Sequence, residues 1–468
     1  MTDRVFPDGF LWGVATSAYQ IEGATGEGGR GESIWDRFAS IPGAISDGSD
    51  GSIACDHYHR WREDLQLMRH LGVKAYRFSI AWPRVMPHGR GAINAAGLDF
   101  YDSLVDGLLE AGIRPFVTLN HWDLPQRLQD GGGWAARRTA DAFVAYAEAV
   151  SMRLGDRVRD WTTHNEPWCV ATLGHEQGVH APGRRDPVEA LRAAHHLLLS
   201  HGWAVPVLRR NSPGARVGIA LNPVPAYPAS PSDADRDAAR RFDGAANRWY
   251  LDPIFRGSYP RDAVEDLAQE GLLPGGSMPW VEDGDMKSIA ASLDFLGINY
   301  YSSAVLRSDR IPEADNAPRS VPEAPPAERT DMGWEVFPQG LHDLLVRIQR
   351  AYRPPSVHVT ECGAAYDTAP GPGRRVKDAR RQEFLREHLL AAHRAIADGV
   401  PLAGFFLWTL VDNFEWAHGF TQRFGVVWLD RVTQERTLKD SALWYRDVIA
   451  ANAVDDGAPR VHVMRRLA

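Results

Sequence analysis

Short apolar runs alternate with longer segments of helical period along most of this chain. Phe10-Leu11-Trp12-Gly13-Val14-Ala15 reads as a first strand. A helix follows around Trp61, Leu65, Met68 and Leu71, whose spacing places one apolar face along it. Val73 to Ile80 reads as the second strand. The next helix, over 97–110, carries Leu98, Tyr101, Leu104, Val105 and Leu108 on one stripe and stops at Gly112. The same alternation predicts strands at Ile113 to Leu119, Arg157 to Thr162, Arg216 to Leu221, Leu293 to Ile298, Val357 to Thr360 and Leu402 to Trp408. Helices are expected over 137–153, 188–210, 339–351, 377–397 and 438–450, with Pro206 kinking or interrupting the second of these.

Eight strands with intervening helices fit an α/β architecture, a single (β/α)8 TIM barrel with elaborated βα loops, and 1–468 reads as one domain without a composition break. An open doubly wound sheet is the alternative, but its first strand would need a phosphate loop. The run Gly26-Glu27-Gly28-Gly29-Arg30-Gly31 has the wrong spacing for that and reads as a surface or rim loop. Residues 303–332, rich in Pro, Glu, Arg and Asp, are expected to form a loop over the barrel mouth.

Polar residues gather where the predicted strands end. Gln20 follows the first, Arg77 and Trp82 flank the second end, and Asn120-His121-Trp122-Asp123 follows the third. Asn165-Glu166 follows the fourth, Asn222 the fifth, Asn299-Tyr300-Tyr301 the sixth and Glu361 the seventh; the eighth runs into Trp408 and the loop with Glu415 and Trp416. In a barrel these ends share the face where active sites form. Glu166 and Glu361 then face one pocket, and two converging carboxylates are the equipment of glycoside hydrolysis. The plainer reading makes them surface glutamates or salt-bridge partners, and His121 a structural histidine. His57 and His59 read as structural, His195 and His196 as packing residues inside a helix, and no His, Cys and carboxylate group makes a convincing metal site.

Composition narrows this further. A net charge of -8 gives no footprint for nucleic acid or an anionic membrane. No apolar run reaches membrane-spanning length, and the start lacks a basic segment followed by an apolar run, so a cytoplasmic protein is expected. Cys55, Cys169 and Cys362 suit reduced thiols, with no persuasive base arrangement for cysteine chemistry. Sixteen Trp, thirteen Tyr and seventeen Phe can cover the flat apolar faces of a sugar, although large cores use aromatics too.

Several ordered motifs resemble the family 1 glycoside hydrolases, most closely the bacterial β-glucosidases. They are Ala15-Thr16-Ser17-Ala18-Tyr19-Gln20-Ile21-Glu22-Gly23, Tyr76-Arg77-Phe78-Ser79-Ile80-Ala81-Trp82-Pro83-Arg84 and Leu119-Asn120-His121-Trp122-Asp123-Leu124-Pro125. Thr163-His164-Asn165-Glu166-Pro167, Val359-Thr360-Glu361 and Asp412-Asn413-Phe414-Glu415-Trp416-Ala417-His418-Gly419-Phe420 complete the set. The resemblance implies a retaining β-glucosidase acting by double displacement, with β-galactosidase or β-fucosidase side activity and no cofactor or metal. Glu361 would be the nucleophile and Glu166 the acid/base, with Arg77, Tyr301 and Asn165 completing the catalytic set. Arg77 and the Tyr301 hydroxyl would favour ionised Glu361, whose charge would raise the Glu166 pKa.

The resemblance also implies a sugar-binding set. His121 and Asn165 would serve the hydroxyls nearest the reaction, Gln20 and Glu415 the distal ones, and Trp408 the platform beneath the ring. Trp122, Trp416, Asn299, Tyr301 and Phe424 would complete the pocket, with Trp168 on the leaving-group side. Substrates would be small β-glucosides or cello-oligosaccharides; the oligomeric state stays open. Relatives acting on 6-phospho sugars usually carry a small hydroxyl residue and a nearby lysine where this chain has Glu415 and no lysine between Trp416 and Val427, which favours an unphosphorylated substrate. A 6-phospho-β-glycosidase or a non-catalytic sugar-binding protein are the alternatives. One position departs from the family: Cys362 stands where Asn usually follows the nucleophile. If accessible, that thiol would make activity sensitive to thiol reagents.

Overall fold

Eight parallel strands hydrogen-bond in chain order until the last meets the first. They are β1 (Leu11–Ala15), β2 (Ala75–Ser79), β3 (Arg114–Asn120), β4 (Asp160–Asn165), β5 (Arg216–Leu221), β6 (Phe295–Tyr300), β7 (Val357–Cys362) and β8 (Leu402–Trp408), and they form a closed barrel. This is a (β/α)8 barrel. A computed structural model describes residues 3–309, 319–322 and 327–457.

The barrel is filled rather than hollow. Phe116 of β3 meets Phe295 of β6 at 5.1 Å and Phe406 of β8 at 4.9 Å between ring centroids. His358 of β7 lies edge-on to Phe116 and Phe295, and burial pushes its pKa down to about 3, so it remains neutral at physiological pH. All four side chains are buried, which closes the interior below the mouth. Further toward the N-terminal ends, buried Asp160 pairs with Arg114 and with Arg216, the latter at 2.5 Å.

Helices wrap this core by their apolar stripes. His57–Leu71 turns Trp61, Leu65, Met68 and Leu71 inward; Ala95–Glu110 does so with Leu98, Tyr101, Leu104, Val105 and Leu108. Arg137–Leu154, Pro187–Asn211, Pro338–Tyr352, Ala379–Ala397 and Asp440–Ala451 continue the layer. The expected break at Pro206 does not occur: Pro187–Asn211 is one helix with Pro206 inside it. Pro206 lies on the exposed side of that helix.

Two other expectations need correction. Several strands run further toward the mouth than their apolar runs, so Asn120, Asn165, Asn299, Tyr300 and Glu361 lie within strands rather than after them. Backbone ladders continue regardless of side-chain polarity, and here they carry polar side chains into the pocket. Residues 303–332 contain strands Ala304–Asp309 and Arg319–Pro322, paired antiparallel, with Ala226–Pro228 on the other edge; residues 310–318 and 323–326 lie outside those described. The glycine-rich run 26–31 makes largely exposed turns. No helix among the described residues is long and apolar enough to cross a membrane.

Candidate active site

The C-terminal strand ends surround a cavity of about 520 Å³. Its lining includes Glu166 and Glu361, which are 5% and 3% exposed and so almost wholly withdrawn from water. Register irregularities place them there. The β4–β5 pairing shifts between Thr162 and Asn165, and β6–β7 between Val359 and Glu361. Such irregularities turn side chains at strand ends. Glu166 then adopts φ 48°, in the left-handed region, as the chain leaves β4 before Pro167. Trp122 and Trp416, also at the mouth, share that conformation at φ 77° and 48°. For these residue types it is held only by surrounding structure, and it clusters at functional sites.

One hydrogen-bonded network connects the carboxylates. Arg77 Nη1 donates to Glu361 Oε1 at 2.6 Å, and Arg77 Nη2 donates to Asn165 Oδ1 at 2.6 Å. The Tyr301 hydroxyl donates to Glu361 Oε2 at 2.6 Å. Asn299 Nδ2 reaches both Glu166 Oε1 at 2.6 Å and Asn165 Oδ1 at 3.0 Å, while Asn299 Oδ1 accepts from Thr360 Oγ1 at 2.7 Å. Asn165 Nδ2 donates to His121 Nε2 at 3.0 Å, and Trp122 Nε1 donates to the Asn165 carbonyl at 3.0 Å. With Nε2 accepting, the His121 proton sits on Nδ1. Burial first, then Arg77, lowers the His121 pKa well below the usual range and keeps the ring neutral.

The carboxylates have unequal electrostatic settings. Burial raises the Glu166 pKa, and the charge on Glu361 raises it further, to about 8. Burial also raises Glu361, but Arg77 and Tyr301 oppose that rise directly. Glu361 is therefore the carboxylate that gives up its proton first, and its charge then helps Glu166 keep one. Glu415 is pushed up to about 8 by burial and by both other carboxylates.

The remaining expected site residues fall around this network. Trp122, Trp168, Trp408, Trp416, Asn299, Tyr301 and Phe424 line the cavity with His121, Asn165 and Glu415. The rings of Trp408 and Trp416 lie nearly parallel to His121, with centroids 5.8 and 6.0 Å from it. Arg77 and Gln20 are fully buried and sit outside the lining, behind the carboxylates they contact. Gln20 Nε2 donates to Glu415 Oε2 at 3.3 Å and to the Phe414 carbonyl at 2.8 Å, while its Oε1 accepts from Ser17 Oγ at 2.6 Å. Among the described residues, no lysine or arginine lines the cavity.

Two findings concern cysteines. Cys362 is wholly buried, and its nearby groups include Tyr300 and Tyr445, on the side of the helical layer. Strand alternation accounts for this, since Glu361 faces the pocket. The accessibility that thiol-reagent sensitivity at Cys362 requires is therefore absent. Cys169, expected only as a reduced thiol, instead lines the cavity, and its Sγ lies 3.1 Å from Glu166 Oε2. Its position three residues after Glu166 is a signal only once a helical turn is known to begin at Pro167. Asn222, His180 and Trp334 also join the lining. Asn222 stood at a predicted strand end; nothing in the chain pattern marked the other two.

The glycosyl hydrolase family 1 model matches residues 2–454. β-Glucosidase A of Acetivibrio thermocellus is 48% identical over 453 residues, covering 97% of this chain and 100% of that protein. A bifunctional β-D-glucosidase/β-D-fucosidase of Bifidobacterium breve is 44% identical over 465 residues, covering 95% and 98%. A solved family 1 β-glucosidase of Thermotoga maritima, in complex with isofagomine lactam, superposes with a TM-score of 0.91 at 45% identity, covering 97% of this chain and 100% of that one.

Proposed function

The chain belongs to glycosyl hydrolase family 1, and we propose that Glu361 and Glu166 run its chemistry as nucleophile and acid/base. The protein is a retaining β-glucosidase that releases terminal β-D-glucosyl residues from short β-glucosides by double displacement. Ionised Glu361 attacks the anomeric carbon while Glu166 protonates the departing oxygen; Glu166 then takes a proton from the water that frees the sugar. The observation that carries these roles is the asymmetric network in which Arg77 and Tyr301 both grip Glu361 and neither reaches Glu166. When Glu361 becomes esterified its charge disappears, and a cause of the high Glu166 pKa goes with it. The acid of the first step thereby becomes a base for the second.

Neutral His121 and Asn165 hold the sugar hydroxyls nearest the reaction, and Glu415, backed by Gln20, holds the distal ones. Trp408 supplies the ring platform and Trp168 the leaving-group wall. Glu415 and the lack, among the described residues, of lysine or arginine in the lining support an unphosphorylated sugar, because none of those residues offers phosphate a lysine or arginine. The Bifidobacterium breve relative supports β-fucoside as a side substrate.

The test is hydrolysis of nitrophenyl β-glucoside by Glu361→Gln and Glu166→Gln proteins. Glu361→Gln is expected to lose kcat by on the order of 10⁴-fold or more, as catalytic groups do when removed. Glu166→Gln should lose about 10²- to 10⁴-fold, with the smaller loss on the better leaving group. A 2-fluoro glucoside trap labelling a residue other than Glu361 would refute the assignment.

A further inference from the structure

The two oxygens of Glu166 have different neighbours. Oε1 receives Asn299 Nδ2 at 2.6 Å, and Asn299 cannot turn its amide over because Nδ2 also donates to Asn165 Oδ1 at 3.0 Å, an atom that the donor-only Arg77 fork fixes as an oxygen. An amide N–H only donates, and the carbonyl oxygen of a carboxylic acid is its better acceptor. In the acid form, Oε1 therefore stays with Asn299 and the proton sits on Oε2. The group beside Oε2 is Cys169 Sγ, at 3.1 Å.

Local backbone brings the thiol there. The helical turn begins at Pro167, and Cys169 N–H donates to the Glu166 carbonyl at 3.0 Å, so its side chain folds back over the carboxyl group. Asn222 Nδ2 donates to Sγ at 3.4 Å from the other side. Cys169 is 7% exposed and lines the cavity, unlike Cys362.

We propose that Cys169 is a positioning residue for Glu166, one that reverses its hydrogen-bonding sense as Glu166 alternates between acid and base. In the acid form, Oε2–H donates to Sγ. Once that proton has gone to the departing oxygen, the thiol turns its own S–H toward the carboxylate and holds it in place. When Glu166 takes a proton from the incoming water, the first arrangement returns. The thiol keeps its proton throughout: burial and the charge of Glu166 push its pKa well above the ordinary thiol range, so it is neither base nor nucleophile. A group that only donates would oppose the acid, and one that only accepts would oppose the base; a thiol does both weakly.

The proposal rests on Glu166 being the acid/base, and pH profiles of kcat/KM separate the two ideas. Glu166 must carry a proton in the free enzyme, so activity falls as pH rises through its pKa. Cys169→Ala removes a donor to the ionised form and an acceptor for the acid form; the bond to the charged carboxylate is the stronger of the two, so the net effect raises that pKa and moves the basic limb up by about half to one pH unit. Cys169→Ser keeps a two-way partner and should hold the limb at or below its original position. A space-filling role alone would change kcat/KM and leave the limb in place. A limb unmoved in Cys169→Ala, or displaced upward equally in Cys169→Ser, overturns the proposal. The same profile for Glu166→Gln should lose its basic limb; if the limb persists there, the acid/base reading falls and the proposal falls with it.

Discussion

At the end of β7 a glutamate is gripped from both sides, whereas at the exit of β4 the same side chain is left room to change. Glu361 lies within its strand, with a guanidinium on one oxygen and a phenol on the other, each at 2.6 Å. Glu166 lies just beyond its strand, with a neutral amide on one oxygen and a thiol on the other. Both are buried, so desolvation pushes both toward the neutral form. The difference lies in the partners. Only charge and a strong donor can keep a buried carboxylate ionised, while a group that must hold and release a proton is better served by neutral neighbours. The contrast assigns roles from surroundings, since the side chains themselves are identical.

The most forceful way to break the contrast is to remove the cation. Arg77 is fully buried and its fork spans Glu361 and Asn165. Arg77→Met leaves a buried carboxylate without its counter-charge, which should destabilise the fold by about 3–5 kcal/mol. It should also lower kcat by on the order of 10³-fold, as Glu361 then spends most of its time protonated at neutral pH. Urea unfolding and nitrophenyl glucoside kinetics check the two parts separately. Loss of stability with kcat intact would mean that Arg77 does not set the charge on Glu361.

A milder change sharpens the comparison. Tyr301→Phe deletes one donor to Glu361 Oε2 while keeping the ring against Phe424, 6.0 Å away between centroids. Losing a hydrogen bond to a charged acceptor should reduce kcat about 10- to 100-fold. The sign on pH follows from Glu361 acting ionised. Removing the donor raises its pKa, so the acid limb of kcat/KM should move to higher pH. Movement of the basic limb alone would exchange the roles of the two glutamates.

How much of this was legible depended on whether a feature announced itself through apolar pattern. The barrel did, because each strand carries an apolar run and most outer helices an apolar stripe. The strand ends did not: Asn120, Asn165, Asn299 and Glu361 continue the ladder as polar residues, so the predicted strands end too early even though those polar residues mark the mouth. The stretch between β5 and β6 was also silent. Helix Asp233–Asp243 buries only Ala238 and Ala239 and is tied in by ion pairs such as Arg240–Asp266 and Arg347–Asp243, which leave no stripe to read. The two glutamates were found by their place after apolar runs, but their unequal jobs came from family resemblance. Arg77 reaches Glu361 only after the barrel has closed, a pairing that no local pattern records.

Cys362 gives the smallest expected effect and marks where the tight setting of Glu361 ends. It adjoins Glu361 in sequence, yet its thiol is wholly buried toward the helical layer, beyond the reach of a substrate. Burial pushes its pKa well above the ordinary thiol range, so it has no thiolate to offer a reagent near neutrality. Cys362→Ala should therefore leave kcat and KM within about twofold while lowering stability by about 1 kcal/mol, the usual scale for a small core truncation. Thermal unfolding and steady-state kinetics measure both, and intact-mass analysis of the native protein after alkylation should find Cys362 unmodified. A tenfold fall in kcat would show that the constraint on Glu361 extends through the backbone to its neighbour. The strong setting would then include the strand itself as well as Arg77 and Tyr301.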